Sequence, residues 1–411
     1  MLKAGALYFA IVIAFFIAIV SASLIMLAAH YRNSYLKEIR YTRLLNNLNS
    51  GVEYALANKD AAEGKQTLDL FGDELDSLEL DRKNWGIFDL AILKSFVKQD
   101  TLKRAFLIGN LTDSTALYLS DEDRPLSISG HTRITGNVEL PKSGIRQSYA
   151  EGKPYDGGKE LIFAGKIGNS TRTLKALNEK LLERLKQVLA NQDRKLPLLQ
   201  QNELKVSFLD STRKFQLPQI ANLADVKLEG NIILVSDSLV TISATAQLNG
   251  IQVYAPLIKV EEGFKGNCQL FAIDSILVAN NVEFKYPSVL GVMRTKKSVV
   301  QPQIVLGDHV NFDGIIFSHE KERTALQTLI GLGKDTRVQG EIYSTGLLRV
   351  EKGSKVNGKV SCNRFLMKTP LTLYENFLID VAFNRKARSR YYLSAKLFNA
   401  QQPNQILKWL N

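Results

Sequence analysis

The sequence predicts a mainly β protein that carries a long N-terminal α-helix. Three features predict this fold: an apolar run from Ala4 to Ala29 without a charged side chain, an amphipathic continuation to about Asn58, and short apolar stretches punctuated by glycine in the second half of the chain. We expect a transmembrane helix continuing into an amphipathic helix, a strand layer, and a Gly-punctuated parallel β-helix.

The chain divides by pattern into five regions. With 411 residues, 45% hydrophobic and 23% charged, its composition is that of a folded protein with room for two domains. We predict a transmembrane anchor (1–30), an amphipathic helix (31–60), a mixed strand and helix region (61–200), a β-helix-like repeat region (201–370) and a basic C-terminal strand and tail (371–411).

The apolar run is long enough to cross a bilayer. At about 1.5 Å per residue, a helix of this length covers a hydrocarbon layer about 30 Å thick. A cleaved secretory signal peptide is the alternative, with Lys3 as the charged start and Val20-Ser21-Ala22 as the cleavage site. Because a signal core normally stops after roughly 7 to 15 residues, the continuation to Ala29 favours a retained anchor.

The next segment predicts a helix with one apolar face. From His30 to Asn58 there is no proline and one glycine. Apolar residues recur every four positions: Leu44, Leu48, Val52 and Leu56. This stripe needs a partner to cover it, and we expect the helix to end near Asn58-Lys59-Asp60.

The start of the chain carries two short motifs around the apolar run, Lys3-Ala4-Gly5-Ala6-Leu7 before it and Asn49–Ala57 after it. With them the chain resembles type IV pilin-like proteins, especially minor pilins and pseudopilins. In that family a basic leader is cut after a glycine and the helix packs against its neighbours in a filament. The resemblance implies processing after Gly5, with Ala6 as the first mature residue. Ala10 replaces the family's usual glutamate, which argues against a major filament subunit.

The charges around the apolar run bear on orientation. Lys3 precedes it, whereas Arg32, Lys37, Arg40 and Arg43 follow it, so a literal positive-inside count leaves the body in the cytoplasm. Long domains translocate largely regardless of flanking charge, and a pilin-like start implies export. We therefore expect a single-pass protein of the inner (cytoplasmic) membrane with an extracytoplasmic body.

Region 61–200 predicts a hairpin and a second helix. The β-rich runs Gly86–Lys98 and Thr101–Gly109 predict an antiparallel hairpin, and a strand layer of this kind could cover the helix stripe. Thr171–Asn191 predicts a helix capped by Ser170 or Thr171. Its apolar face is formed by Leu174, Leu177, Leu181, Leu182, Leu185 and Leu189.

A loose repeat predicts the β-helix. Each copy has an apolar residue, a polar residue, glycine and then further apolar positions. The copies are Ile134–Val138, Leu248–Val253, Phe312–Phe317, Val338–Tyr343 and Val356–Ser361. A β-helix coil cannot bury its inward face alone and must stack on the next, with glycine at the corners. An antiparallel sandwich is the alternative reading of this alternation.

Residues Val226–Met367 carry this rhythm at a steady coil length, and with it they resemble the bactofilin type of β-helix, a family of polymer-forming scaffold proteins. The segment Ser318–Leu332 interrupts the rhythm with Glu320–Arg323, for which we predict a short helix. This interruption argues against end-to-end polymerisation.

The residues capable of metal binding or nucleophilic catalysis form no known motif. His319-Glu320-Lys321-Glu322 lacks the second histidine of zinc hydrolases, and His319 is predicted to be a solvated loop residue. Cys268 and Cys362 are predicted to be buried free thiols, stacked within the repeat coils. We predict no metal site and no cofactor.

Clustered carboxylates suggest one enzymatic alternative, the cleavage of acidic polysaccharides. Asp308, Asp313 and Asp335 are the candidates, but each lies near a glycine, where aspartate commonly forms turns. We therefore predict no catalytic residue and expect a non-enzymatic protein.

Positive charge concentrates at the C-terminus. The formal net charge is +12, and no acidic residue follows Asp380. The candidate anion-binding residues are Arg385, Lys386, Arg388 and Arg390, followed by Tyr391 and Tyr392. Such a segment can bind nucleic acid or acidic glycan; the alternative is a solvated basic loop before a strand from Tyr391 to Phe398.

These observations predict a non-enzymatic single-pass envelope protein, a component of pilin-like assembly or surface presentation. Its expected partners are the lipid bilayer and, through the N-terminal helix, other pilin-like or envelope proteins. Two alternatives remain: a membrane-tethered cytoplasmic β-helix scaffold of the bactofilin type, and anion or nucleic-acid binding by the basic tail.

Overall fold

A computed structural model describes residues 4–58, 63–70, 72, 77–190, 196–294, 300–369, 372–398 and 403–410. The chain forms two compact units. The first comprises Met1–Arg82 and Ala91–Ala105, and the second comprises Lys83–Leu90 and Phe106–Asn411. Lys3, Lys59, Asp60 and Asn191, which the sequence predictions involve, lie outside the described residues.

The helices are α1 (Ala4–Ala57) and α2 (Glu179–Ala190). The strands up to residue 169 are β1 (Gly64–Leu68), β2 (Ser77–Trp85), β3 (Phe88–Val97), β4 (Asp100–Asn110), β5 (Thr115–Leu119), β6 (Leu126–Ser129), β7 (Arg133–Thr135), β8 (Asn137–Leu140), β9 (Ile145–Gln147), β10 (Tyr149–Ala150), β11 (Lys153–Pro154) and β12 (Ile167–Asn169).

The strands from residue 203 to 293 are β13 (Glu203–Val206), β14 (Arg213–Gln216), β15 (Ala221–Leu223), β16 (Lys227–Gly230), β17 (Ile232–Val235), β18 (Leu239–Ile242), β19 (Gln247–Val260), β20 (Lys265–Val278) and β21 (Glu283–Met293). The remaining strands are β22 (Gln303–Leu306), β23 (Asn311–His319), β24 (Leu329–Leu332), β25 (Arg337–Val350), β26 (Lys355–Lys368), β27 (Leu373–Glu375), β28 (Phe377–Ile379), β29 (Ala382–Asn384) and β30 (Asn404–Leu410).

Helix α1 is uninterrupted from Ala4 to Ala57. Within the described residues, its stretch Gly5–Ala57 is long and apolar enough to cross a membrane by length and composition. Its large apolar side chains between Leu7 and Leu27 are exposed. The backbone N–H of Asn58 donates to the Tyr54 carbonyl at 3.1 Å, which closes the last turn where the sequence predicted the end. A long N-terminal apolar helix is confirmed.

The last third of α1 packs on the strand layer of the first unit. Leu44, Leu48 and Val52 are buried as predicted, but Ala55 completes the stripe, and Leu56 is only half-buried. The reason is that a helix turns once per 3.6 residues, so a strict spacing of four drifts off the face. Gly51 permits the close approach, because a Cβ there would overlap the Leu78 side chain.

The strand layer follows chain order, with β1, β2, β3 and β4 as successive neighbours. Strands β1 and β2 are antiparallel, with Gly64 opposite Arg82 and Leu68 opposite Leu78. The predicted hairpin is present as β3 and β4, and Lys98 adopts φ +56° in the turn between them.

The second unit contains a stack of parallel coils, which confirms the β-helix and excludes the antiparallel sandwich for this region. Strands β23, β25 and β26 pair in parallel, so that Gly314, Gly340 and Gly358 lie in one row. Inside the stack, Phe284 lies between Phe264 and Phe312, with ring centroids 5.6 and 5.5 Å away.

The glycine row explains the repeat seen in the sequence. At Gly314, Gly340 and Gly358, a Cβ would overlap the backbone carbonyl of the preceding coil, at Ser288, Gly314 and Gly340 respectively. Each residue also has positive φ, between +145° and +159°. Glycine is therefore needed for close approach as well as for backbone conformation.

One end of the stack combines distant parts of the chain. Strand β26 pairs in parallel with both β5 and β29. Beyond them, β8 pairs with β5 and β7 pairs with β29. The repeat copy Ile134–Val138 lies in this part, so the stack extends outside the region in which the sequence showed its clearest copies.

Three predicted elements differ from the structure. Helix α2 begins at Glu179 rather than near Thr171, with the Asn178 side chain accepting from the Leu181 N–H at 3.2 Å. Glu320–Arg323 is an irregular loop and contains no helix. Tyr391–Phe398 contains no strand and makes only isolated bridges, at Ser394 and Phe398.

Candidate functional site

Residues 385–398, here called the covering segment, lie on the outer face of the coils. The Tyr392 hydroxyl donates to the Gly314 carbonyl at 3.3 Å, and the Tyr286 hydroxyl donates to the Leu393 carbonyl at 2.8 Å. Ser394 and Asn110 exchange backbone hydrogen bonds of 2.8 and 2.9 Å. Ser394 thus pairs with Asn110, at the end of β4, as an isolated position. Because the neighbouring residues do not continue this pairing, the segment does not form a regular strand.

Arg385 anchors the start of the covering segment. Its Nε and Nη2 donate to the Asp113 carbonyl at 3.0 and 2.8 Å, and Nη2 also donates to the Thr112 hydroxyl at 3.0 Å. These contacts hold the guanidinium against the 112–113 turn. Arg385, the first of the four predicted anion-binding cations, therefore uses its guanidinium for hydrogen bonds within the protein.

Arg388 is buried, with 8% of its surface exposed. Its guanidinium carbon lies 4.4 Å from the centroid of the Tyr392 ring, and Nη1 is 3.8 Å from Oε1 of Glu341. Its Nη2 donates to the Thr112 hydroxyl, whereas Nε and Nη1 have no hydrogen-bond partner among the described residues. The Arg388 side chain is therefore held inside the fold, with two buried donor atoms that make no hydrogen bond to the described residues.

Glu341 is a buried carboxylate on the outer face of β25. The Ser394 hydroxyl donates to its Oε2. Burial raises the pKa of this carboxyl above its usual value, and the hydrogen bond from Ser394 and the charges of Lys359 and Arg388 oppose that rise. The covering segment thus supplies both a hydrogen bond and a positive charge to a group on the coil.

A second ion pair lies beside Glu341. Lys359 Nζ is 2.7 Å from Oδ2 of Asp113. Burial acts to raise the pKa of Asp113, but the charge and hydrogen bond of Lys359 outweigh it, so that pKa is lowered. Glu341 and Lys359 occupy the same register position in adjacent coils.

Lys386 and Arg390 are exposed, unlike the other two predicted cations. Arg390 lies over the ring of Tyr391, with its guanidinium carbon 4.9 Å from the centroid, and its Nη2 donates to the Tyr391 hydroxyl at 2.8 Å. The four cations therefore do not form one patch. Binding of nucleic acid or acidic glycan by this set stays a prediction.

Two cavities adjoin the covering segment. A smaller one of about 110 Å³ is lined by Thr112, Asp113, Tyr118, Lys175, Ala176, Glu341, Ile342, Tyr343, Lys359, Ser361, Ser394 and Phe398. A cleft of about 270 Å³ is lined by Tyr286, Asp313, Gln339, Arg388, Ser389, Tyr391 and Tyr392. The latter is called the tyrosine cleft below.

The three candidate carboxylates have different roles. Asp308 accepts a hydrogen bond from the Lys334 N–H at 2.7 Å, and Asp335, at φ +53°, donates its N–H to the Lys352 carbonyl at 3.2 Å. Both are corner residues. Asp313 alone lines the tyrosine cleft, and burial raises the pKa of its carboxyl.

Sequence reasoning missed Glu341 and Lys359, although a signal was present. In two aligned copies, the residue after the repeat glycine is acidic in Gly340-Glu341 and basic in Gly358-Lys359. Opposite charges at one repeat position predict charged neighbours on stacked coils, although here Lys359 pairs with Asp113 and Glu341 with Arg388. Asp113 and Tyr286 had no comparable signal, because the fold brings them in from other segments.

The remaining predicted residues are located as follows. Gly5 and Ala6 lie in the first turn of α1 and are exposed. Cys268 and Cys362 are buried and free as predicted, and burial raises the pKa of both thiols, but β20 and β26 are not neighbours in the stack. His319 ends β23 and is half-buried rather than solvated.

Comparisons with known proteins give little further guidance. No protein-family model matches the chain, and no curated protein matches it. Among solved structures, it is similar to the competence-associated pilin ComZ from Thermus thermophilus, with 11% identity, 85% of this chain and 87% of that chain covered, and a TM-score of 0.26. Similarity of this degree does not establish a shared fold, so any functional assignment depends on the residues of this chain.

Proposed function

We propose that the protein is a non-enzymatic, single-pass envelope protein of pilin-like type. In this proposal α1 anchors it in the inner (cytoplasmic) membrane and joins it to other pilin-like or envelope proteins, while the β-helix body is presented on the extracytoplasmic side. The observation that carries the proposal is the change of burial along α1. Exposed apolar side chains from Leu7 to Leu27 need lipid or a partner, whereas Leu44 to Ala55 pack within their own unit.

The non-enzymatic part of the proposal rests on the carboxylates. Asp308 and Asp335 are corner residues, and of the three only Asp313 lines the tyrosine cleft. A glycosidase pair needs two carboxyl groups flanking one bond, in environments that separate their pKa values. We therefore expect the wild-type protein not to cleave acidic polysaccharides, so that Asp313→Asn removes no hydrolytic activity.

Intact mass of the membrane-extracted protein tests the pilin-like assignment. We expect the mature chain to begin at Ala6 and to sediment with membranes. A Gly5→Val variant should keep the leader and remain membrane-bound, since the apolar run is unchanged. A mature chain that begins at Ser23 and stays in the buffer would contradict both the anchor and the family assignment.

Thiol labelling tests the orientation. Cys268 and Cys362 are fully buried, so the wild-type protein should give little background with an impermeant maleimide. Tyr149 is exposed in β10, which makes Tyr149→Cys a suitable probe. We expect labelling in cells whose outer barrier is permeable to the reagent and whose inner membrane is intact. Labelling only after lysis would favour a cytoplasmic body.

One observation favours the alternative of a cytoplasmic scaffold that polymerises. Within the described residues, β13 and β15 each pair with a single neighbouring strand, β16 and β18 respectively. An exposed strand edge can template pairing with another chain. This alternative predicts concentration-dependent assembly together with labelling of Tyr149→Cys only after lysis.

A further inference from the structure

The tyrosine cleft presents hydrogen-bonding groups of both kinds. Asp313 is half-buried, and its carboxylate makes no hydrogen bond or ion pair within the described part of the chain. Gln339 stands beside it at the equivalent position of the next coil and carries an amide donor and acceptor. Arg388 also lines the cleft, but its Nε and Nη1 are buried, and Nη1 lies 3.8 Å from Oε1 of Glu341. Asp313 and Gln339 line the same opening of about 270 Å³.

Aromatic rings form the walls of this cleft. The hydroxyls of Tyr286 and Tyr392 are tied to backbone carbonyls, which fixes both rings, and their centroids are 5.3 Å apart. Tyr391 is 76% exposed, so one face of its ring is open to a ligand. Rigid rings offer apolar contact area at low cost in conformational entropy.

The balance of charge argues against an ionic ligand. Asp313 would repel an anion, and the charges of Arg388 in the lining and of Arg390 over the Tyr391 ring would repel a cation. An uncharged ligand that both donates and accepts hydrogen bonds avoids either penalty. A cleft slightly smaller than the roughly 300–1,000 Å³ of sites for drug-sized ligands suits one or two small rings.

We propose that the tyrosine cleft binds a neutral sugar unit of a glycan. The Tyr391 ring lies against one face of the sugar, and Asp313 and Gln339 bind its hydroxyls. This inference deepens the proposed function, since it names what the presented body binds, and it differs from the acidic glycan expected from the charged tail. Sugar binding itself requires only the folded second unit.

Saturation-transfer NMR on the full chain tests the proposal. The protein is held in a polyoxyethylene detergent, which carries no sugar headgroup. The probes are neutral pentasaccharides of β-1,4-glucose, β-1,4-N-acetylglucosamine, α-1,4-glucose and β-1,4-mannose, with an oligogalacturonate and tetramethylammonium as charged comparisons. We expect ring-proton saturation of at least one neutral probe at millimolar concentration and none of the charged ones.

Two variants and two matched controls locate the binding. Tyr391→Ala and Asp313→Asn should each weaken binding about tenfold or more, the loss expected for one aromatic contact or one charged hydrogen bond. Tyr149→Ala and Asp237→Asn remove an exposed tyrosine and an exposed carboxylate elsewhere and should leave it unchanged. Unchanged thermal unfolding of all four verifies that they fold.

The proposal is overturned if no neutral probe responds with the wild-type protein, if only a charged probe responds, or if both cleft variants bind as the wild type does. These outcomes leave the assignment from α1 standing, because membrane sedimentation and Tyr149→Cys labelling do not involve the cleft. Conversely, sugar binding by a protein labelled only after lysis would contradict the proposed location alone.

Discussion

At the scale of single residues, the glycine row shows how packing between coils selects one amino acid. Gly340 has no room for a Cβ because the Gly314 carbonyl of the preceding coil occupies that position. The repeat glycines were visible in the sequence. Their stacking in one row follows only from the parallel register that aligns Gly314, Gly340 and Gly358.

Gly340→Ala should lower the free energy of unfolding by more than about 3 kcal/mol, because the overlapping atom belongs to backbone that cannot move without shifting a whole coil. Gly168→Ala is the control, since its Cβ would meet nothing closer than 3.8 Å. Urea unfolding of both variants in detergent measures the difference. Equal stability of the two would contradict the packing argument.

His319 should make stability depend on pH. Burial, together with the charge of Lys186, lowers the pKa of His319 to about 4, from about 6.5 in the unfolded chain, against the opposing charges of Glu179 and Glu183. The folded state thus disfavours the protonated ring. Its contribution to stability is complete above pH 6.5 and is lost as the pH falls from 6.5 towards 4.

Urea unfolding at pH 7 and pH 4.5 checks this effect. His319→Gln cannot be protonated, so it should show a smaller decline in the free energy of unfolding between the two pH values than the wild type. An identical decline would mean that other groups carry the acid sensitivity.

At the scale of elements, the α1 stripe was predictable because helical periodicity is a local property. The partner of the stripe was not fully predictable. Gly51 faces Leu78 and Leu93, which belong to different strands, and no local pattern pairs them with the helix.

Leu48→Ala should destabilise the packing of α1 on its strand layer by about 2–4 kcal/mol, the usual cost of truncating a buried leucine. Leu36→Ala removes the same atoms from an exposed position of the same helix and should cost little. Hydrogen exchange of the Leu78 and Leu93 amides in detergent reports the difference. Unaltered exchange in Leu48→Ala would show that the helix does not support these strands.

The misplaced start of α2 has a physical cause. Its leucine period is correct, but the segment before Glu179 is held by other parts of the fold. The Thr171 carbonyl accepts from the Asp121 N–H at 2.9 Å, and the Lys175 carbonyl accepts from the Tyr343 hydroxyl at 3.0 Å. Tertiary hydrogen bonds therefore override helix propensity here.

At the scale of the whole molecule, the fold class was predictable from the sequence. The apolar run is continuous, and the helix stripe and the glycine repeat are periodic, so each can be recognised within a single stretch of the chain. The site was less predictable. The tyrosine cleft joins Tyr286, Asp313, Gln339 and the covering segment, which are separated in the chain and meet only because coils stack. The sequence suggested that Arg385 and Arg388 face solvent or an anionic ligand. In the structure Arg385 donates to the Asp113 carbonyl, and Arg388 is buried.

Removing residues 370–411 should affect one end of the stack selectively. Stability in coil stacks is transmitted between nearest neighbours, and β7 pairs with β29, which the truncation deletes. We expect amide protection in β6, β7 and β8 to fall, while β16 to β20 keep theirs. Hydrogen exchange measured by mass spectrometry resolves the two regions. A uniform loss throughout the stack would contradict nearest-neighbour behaviour.

The joint pairing of β26 with β5 and β29 also sets an order for biogenesis. A ribosome releases β5 and β7 long before β26 and β29, so the edges that pair with these late strands stay open until translation is almost complete. The coils from β16 onward pair with coils that are close in the chain, so they can stack while synthesis continues. If the body is exported, these edges remain open to mispairing until the late strands follow.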